Sequence, residues 1–245
     1  MKICITQTKP IKGDVSANIE AHIRFIELAL TLNAEAIFFP ELSLTGYEPE
    51  IAKKLATSHD DNRLDIFQEI SDKNNIVIGL GLPTATESKI RISMIIFEPN
   101  KPRQTYSKQQ LHSDEFPYFE NGDGQLIIKT NDKNIAPAIC YESLQQTHSE
   151  NAFKLGADVY LASVAKPANG IKKAFDHYPK IANQYKMPVL LSNCVGFCDN
   201  FLSVGNSSVW TKEGELVGQL GDKTEGILIF DTKTERIEIR ILTND

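Results

Sequence analysis

The sequence predicts a single α/β domain over residues 1–245, and three observations carry that reading. Short apolar runs alternate with segments in which apolar residues recur every three to four positions, as expected of strands interleaved with amphipathic helices. Of the 245 residues, 41% are apolar and 24% charged, which suffices for a large core without disulfide or metal staples. No linker, low-complexity tract or long internal repeat divides the chain.

Taken in order, residues 2–6 (KICIT) form a first strand. Gly13-Asp14 then turns the chain into a helix. There Ile19, Ile23, Ile26 and Leu30 make one apolar stripe, and His22 falls off it toward solvent. Residues 35–39 (EAIFF) are a second strand, stopped by Pro40. A second helix is expected over 62–72. Strands follow at 76–82 and 90–97, with a turn-like stretch at 84–89 between them, and 102–106 suits a sheet edge because it begins with Pro102. In the second half, strands are expected at 125–129, after Gly122-Asp-Gly124, and at 134–139, ending at Cys140. Thr147-His-Ser-Glu150 has the form of a capping box for a helix to Leu155, with Gly156 as its stop. Residues 158–163 are a strand. Pro167, Asn169 and Gly170 mark 164–176 as a loop, and Pro179 belongs in the first turn of a helix to about Lys186. Strands at 189–193, 204–211 and 226–230 precede an alternating tail strand at 235–242 (ERIEIRIL).

Charge narrows the function. Lys plus Arg number 26 against 32 Asp plus Glu, a net charge of -6, with no run of five basic residues. That argues against a nucleic acid or an anionic membrane as partner. No stretch approaches the ~18 apolar residues of a membrane-spanning helix. Only Ile3-Cys4-Ile5 is apolar near the start, too short for a secretion signal. The expected setting is the cytoplasm, with Cys4, Cys140, Cys194 and Cys198 as thiols. Cys194 and Cys198 have the wrong spacing for a zinc knuckle or a Cys-x-x-Cys redox pair. With Cys4 they are expected to be small buried residues.

Cys140 stands apart, at an elbow between an apolar run and helical sequence. A thiol there meets backbone N–H groups that favour thiolate and oxyanion. Taken alone, a cysteine at a strand end more often serves packing. A thiol nucleophile needs a base. Of His22, His59, His112, His148 and His177, none stands at a strand end. Glu41 does, directly after Phe38-Phe39-Pro40, and a partly desolvated carboxylate beside a thiol can act as general base. Lys108 follows a short strand, with Glu115 seven residues on. An ammonium beside a thiol aids its ionisation and stabilises an oxyanion, and a neighbouring carboxylate would hold it in place.

Together these positions resemble the signatures of one family. Phe38-Phe-Pro-Glu-Leu-Ser-Leu-Thr-Gly46 resembles the first motif of the nitrilase, or carbon–nitrogen hydrolase, superfamily. Lys108-Gln-Gln-Leu-His-Ser-Asp-Glu115 with Phe119-Glu-Asn-Gly-Asp123 resembles the second, and Ile139-Cys-Tyr-Glu142 with Gly156-Ala-Asp158 the third. Gly13-Asp14, Asn193-Cys-Val-Gly196 and Gly205-Asn-Ser-Ser-Val209 add further matches, so the likeness runs from residue 1 to about 230. Three ordered motifs are far more specific than one.

The resemblance implies a four-layer α-β-β-α sandwich, usually dimerised through helices, and hydrolysis of non-peptide C–N bonds. It implies a Glu41–Lys108–Cys140 triad, Glu115 beside the lysine, and the Tyr141 backbone N–H at the oxyanion. The reaction it implies is attack by Cys140 on a small amide or carbamoyl substrate, giving a thioester and releasing ammonia or an amine, with no cofactor and no metal. Two departures stand out. Leu144-Gln-Gln-Thr147 replaces the Arg-Phe-Pro-Glu of many amidase branches, and Pro179-Lys-Ile-Ala-Asn183 replaces Arg-Ala-x-Glu-Asn. A substrate carboxylate is therefore not expected at Leu144, although Lys166, Lys172 or Lys173 could supply a charge instead. The alternatives are a true nitrilase with the same triad, a retired regulatory module, and a thiol hydrolase using His148. A glutaminase domain feeding a synthetase is disfavoured because no synthetase segment is attached, which leaves a separate synthetase subunit as an open alternative.

Overall fold

Strand-forming runs from both halves of the chain build two sheets in the computed structural model, which describes residues 1–87, 89–130 and 132–242. The strands are β1 (Lys2–Gln7), β2 (Ala36–Phe38), β3 (Val77–Ala85), β4 (Ile90–Phe97), β5 (Gln104–Ser107), β6 (Ile128–Lys129), β7 (Asn134–Ile139), β8 (Val159–Val164), β9 (Val189–Asn193), β10 (Val195–Cys198), β11 (Phe201–Val204), β12 (Ser208–Trp210), β13 (Leu216–Gln219), β14 (Gly226–Asp231) and β15 (Ile237–Ile241). The helices are α1 (Val15–Thr31), α2 (Pro49–Leu55), α3 (Asp65–Asn74), α4 (Gln146–Lys154) and α5 (Ala168–Tyr185). The seven-stranded sheet has the order β15-β14-β1-β2-β3-β4-β5, the six-stranded sheet β13-β12-β9-β8-β7-β6, and β10 pairs with β11 as a separate hairpin. β1, β2 and β3 are mutually parallel, as are β7, β8 and β9. Parallel strands with helical crossovers present their C-terminal ends along one edge, where sites form.

Alternation along the strands sets the layers. On β1, Ile3 and Ile5 face the second sheet, meeting Leu161, Leu190 and Ile135, while Cys4 faces α1. Phe25, Ile26 and Phe67 from α1 and α3 cover the outer face of the first sheet over Ile37, Ile78 and Leu80. Ala174, Tyr178 and Ile181 of α5 cover Tyr160, Ala162 and Leu191 of the second. Each fully buried aliphatic side chain contributes roughly 1.5–3 kcal/mol. Polar pins join the sheets as well: Ser163 Oγ donates to Phe39 O and Ser192 Oγ to Thr6 O, both at 2.7 Å. The result is the α-β-β-α sandwich that the resemblance implied. Among the described residues no helix is long and apolar enough to cross a membrane.

Several local expectations need correction. His22 is not a solvent-facing residue. The buried face of α1 is Asn18, His22, Phe25, Ile26 and Ala29, and Ile19, Ile23 and Leu30 are only partly buried. The imidazole packs as an aromatic because both ring nitrogens are satisfied, by Asn18 O at 2.6 Å and Ser43 Oγ at 2.9 Å, with its ring stacked 4.0 Å from Phe39. Burial pulls its pKa down to about 3, so it stays neutral. The capping box at Thr147 does not form. Helix α4 starts one residue earlier, at Gln146, and has no side-chain cap.

The expected loop at 164–176 is largely helix. Helix α5 begins at Ala168 and carries Pro179 in its interior. An interior proline costs about 3 kcal/mol, which is offset by the buried face of Ile171, Ala174, Tyr178, Ile181 and Ala182. The strand at 125–129 shrinks to β6. The strand at 204–211 is cut by Gly205 and Asn206, both left-handed at φ 55 and 58. The helix at 62–72 is a single 3-10 turn, Asn62–Leu64, followed by α3. The short elements α2, β10 and β13 were not anticipated. Ser88, in the expected turn at 84–89, and residues 243–245 lie outside the described residues.

Candidate active site

Each functional side chain leaves the end of a strand. Glu41 follows β2, where Pro40 ends pairing. Strand β3 passes so close beneath this segment that a Cβ at Gly81 would lie 2.4 Å from Leu42 N and 2.7 Å from Pro40 O. Glycine is therefore required, and Leu44 N donates to Gly81 O at 2.9 Å. Lys108 follows β5. Gly122 N donates to its carbonyl at 2.7 Å, an approach that a Cβ at Gly122, 2.1 Å from Ser107 O, would prevent.

Cys140 follows β7 in the left-handed region, at φ 49, and opens the 3-10 turn Cys140–Leu144. That conformation costs an L-residue roughly 1–2 kcal/mol, so surrounding contacts must hold it. The holder is Glu142, fully buried. Its carboxylate accepts from Ile139 N at 2.7 Å and Tyr106 OH at 2.6 Å, and from Gln109 N at 2.7 Å. Glu142 thus ties the Cys140 elbow to the segment carrying Lys108. Burial pushes its carboxyl up to about 7, against the pull of the Tyr106 and backbone donors. Glu142→Ala should lower stability by about 3 kcal/mol, since two buried donors and one half-buried one lose their acceptor. A urea midpoint unchanged from wild type would exclude this anchoring role.

The lysine sits between two carboxylates. Lys108 Nζ donates to Glu41 Oε1 at 2.8 Å and to Glu115 Oε1 at 2.6 Å, with the lysine side chain 0% exposed. Glu115 also accepts from Tyr47 OH at 3.0 Å and from His112 N at 2.7 Å. Burial pulls the Lys108 pKa down, but the two carboxylates outweigh it and the ammonium is held charged. Burial raises the Glu41 carboxyl above the usual range, opposed by Lys108. Glu41 Oε2 has no hydrogen-bond partner among the described residues, leaving an acceptor oxygen free. At Cys140, burial and then the charge of Glu41 push the thiol up to about 11, while Lys166 and then Lys108 pull it back.

A pocket of about 540 Å³ opens onto Cys140, lined also by Glu115, Tyr141, Leu144, Lys166 and His177. Leu144 occupies the wall where the arginine of other branches was expected. Of the three lysines considered, Lys166 lies inside and is buried, Lys173 lines the pocket, and Lys172 is exposed. His148 holds Tyr160 OH at 2.8 Å and Tyr106 OH at 2.9 Å. The partners of Cys140 Sγ are instead Ala165 O and Lys166 Nζ, both at 3.7 Å. Cys4, Cys194 and Cys198 are buried free thiols, with the last two sulfurs 3.4 Å apart. Lys166 as a neighbour of the Cys140 thiol, His177 and Glu142 were not singled out from sequence. Gly170, Lys173 and His177 share one face of α5, a signal hidden while that segment read as a loop.

Known proteins match this chain over nearly its whole length. The family model described as carbon-nitrogen hydrolase matches residues 2–239. A glutamine-dependent NAD(+) synthetase of Thermotoga maritima is 23% identical over 89% of this chain and 39% of its own length. The chain spans 39–45% of the length of the curated synthetases it matches. A protein named hydrolase in agr operon, from Staphylococcus aureus, is 22% identical over 97% of this chain and 93% of its own. Among solved structures, the NitN amidase from Nesterenkonia sp. AN1 has a TM-score of 0.85 at 20% identity, over 96% of each chain. Variants of that amidase have been captured with butyramide and with the acetamide moiety of fluoroacetamide covalently added at the active-site cysteine.

Proposed function

Because this chain belongs to the carbon-nitrogen hydrolase family, we propose that it hydrolyses a small amide or carbamoyl substrate through a thioester on Cys140. The observation that carries the proposal is the buried Lys108, held by Glu41 and Glu115 beside a pocket that opens onto a cysteine thiol. The capture of small amides by the Nesterenkonia amidase supports the substrate class.

In this mechanism Glu41, through its free Oε2, takes the Cys140 proton as sulfur attacks the carbonyl carbon. The S–C bond forms and negative charge moves to the carbonyl oxygen. Lys108 spends two of its three N–H bonds on carboxylates and has one left for that oxygen, alongside the Tyr141 N–H at the start of its turn. The C–N bond then breaks, the proton on Glu41 goes to the leaving nitrogen, and ammonia or an amine departs. Glu41 next takes a proton from water, whose oxygen attacks the thioester; the C–S bond breaks, Glu41 returns that proton to sulfur, and the acid product is released. Glu115 keeps Lys108 in place.

The test is intact mass of the protein after brief mixing with butyramide, beside ammonia release from amide, carbamoyl and nitrile substrates. We expect a butyryl adduct on Cys140 and ammonia from an amide. Ammonia only from nitriles would replace this reading with a nitrilase, and release without any need for Cys140 would end it.

A further inference from the structure

Lys166 is a buried cation to which the reaction above gives no role. It lies two residues beyond β8 and is 4% exposed. Its backbone is clamped from both sides: Lys166 N donates to Asn193 Oδ1 at 2.9 Å, and Asn193 Nδ2 and Ser203 Oγ donate to Lys166 O at 3.3 and 3.2 Å. The side chain is thereby aimed across the sheet end. Its ammonium donates to Cys140 O at 3.3 Å and stands 3.7 Å from Cys140 Sγ.

Charge explains why this position matters. Lysine is hardly ever buried without an anion, because its hydration is lost with nothing in return. Lys108 has two anions, at 2.8 and 2.6 Å. Lys166, among the described residues, forms no ion pair within 4.0 Å. Glu41, Glu115 and Lys108 together carry one surplus negative charge, so Lys108 has little field to spare for the sulfur. The nearest atom able to carry the charge that Lys166 lacks is Cys140 Sγ.

We propose that Lys166 is a second catalytic lysine, the counter-cation of the Cys140 thiolate. This rests on Cys140 being the nucleophile, as proposed above. The S–H proton goes to Glu41, sulfur keeps the electron pair beside the Lys166 ammonium, and that pair then forms the S–C bond. Lys108 serves the carboxylates and the oxyanion, while Lys166 serves the sulfur.

The groups that face the thiol are Glu41, Lys108, Glu115 and Tyr47 from the first half of the chain, and Lys166 and Tyr178 from the second. His177 faces Lys166 from α5. Of the two lysines, Lys166 opposes the upward push on the thiol more than Lys108 does. A cation at this range lowers a neighbouring acid's pKa by roughly 1–3 units.

The experiment is alkylation of Cys140 by iodoacetamide from pH 6 to 10, followed by intact mass, with Cys140→Ser as the blank. For Lys166→Met the rising limb of the pH profile should shift to higher pH by at least about one unit, so that the rate at pH 7 falls about tenfold. Lys166→Arg should restore both to near wild type. A Lys166→Met profile that superimposes on wild type overturns the proposal, as does failure of arginine to rescue. Should Lys166→Met not fold, Lys166→Gln takes its place. In the wild type, iodoacetate should alkylate at least as fast as the neutral reagent. A strong preference for iodoacetamide counts against a free cation beside the sulfur. Alkylation needs no substrate, so its outcome is independent of whether a butyryl adduct forms.

Discussion

Cys140→Ser should fold normally and lose amide turnover by on the order of 10⁴-fold or more. The exchange replaces one atom with a slightly smaller one. The left-handed backbone at φ 49 is set by β7 and the Glu142 anchor, neither of which involves the sulfur. Both present neighbours of the sulfur, Ala165 O and Lys166 Nζ, can hydrogen-bond a hydroxyl. Stability should thus stay within about 1 kcal/mol of wild type. Chemistry is another matter. A serine hydroxyl ionises far less readily than a thiol, and a carboxylate such as Glu41 is too weak a base to compensate. Ammonia release by the purified variant is the measurement, and activity above a tenth of wild type would remove Cys140 from its role.

Lys108→Met should be both inactive and unstable, for one reason. The variant leaves the Glu41 and Glu115 carboxylates buried and facing an apolar side chain where each had an ammonium at 2.8 and 2.6 Å. Removing one partner of a buried ionic cluster costs about 3–5 kcal/mol. The penalty should depend on pH with a definite sign. Burial already raises the folded Glu41 carboxyl pKa against the pull of Lys108, and without the lysine nothing opposes that rise above its unfolded value. A carboxyl with a raised folded pKa stabilises the fold below its unfolded pKa, and that contribution is lost as pH rises through the folded value. The variant should therefore approach wild type near pH 5 and be weakest at pH 8. In the wild type the lysine carries the opposite charge: its raised pKa gives stability that is complete below its ordinary value of 10.5 and lost as pH climbs beyond it. Urea midpoints at pH 5 and 8 test this, and a penalty equal at both would mean that the carboxylates escape to water.

Glu41, Lys108 and Cys140 each stand just past a strand, written locally as an apolar run and a break, but that signal was weak by itself and it took three ordered motifs resembling one family to single them out. Residues held by distant partners were not. Glu142 reads as one more acid after Cys-Tyr, because Tyr106 and Gln109, which it binds, lie more than thirty residues away. His22 reads as polar and exposed because Ser43, which satisfies it, belongs to another segment. Lys166 was hidden differently. Pro167, Asn169 and Gly170 are loop signals, and they masked the start of α5, whose Gly170, Lys173 and His177 line the pocket beside it. The layered fold was legible as alternating elements, but the order of strands within each sheet depends on pairings no local pattern specifies.

The two sheets divide the chemistry between them. Glu41 and Lys108 leave strands of the seven-stranded sheet, whereas Cys140 and Lys166 leave strands of the six-stranded one. A chain emerging from the ribosome, or one partly unfolded by heat, therefore carries a thiol with no base at hand and a base with no thiol. In the proposed mechanism the base and the thiol therefore meet only once the two sheets have docked, so activity should appear with the last long-range contacts.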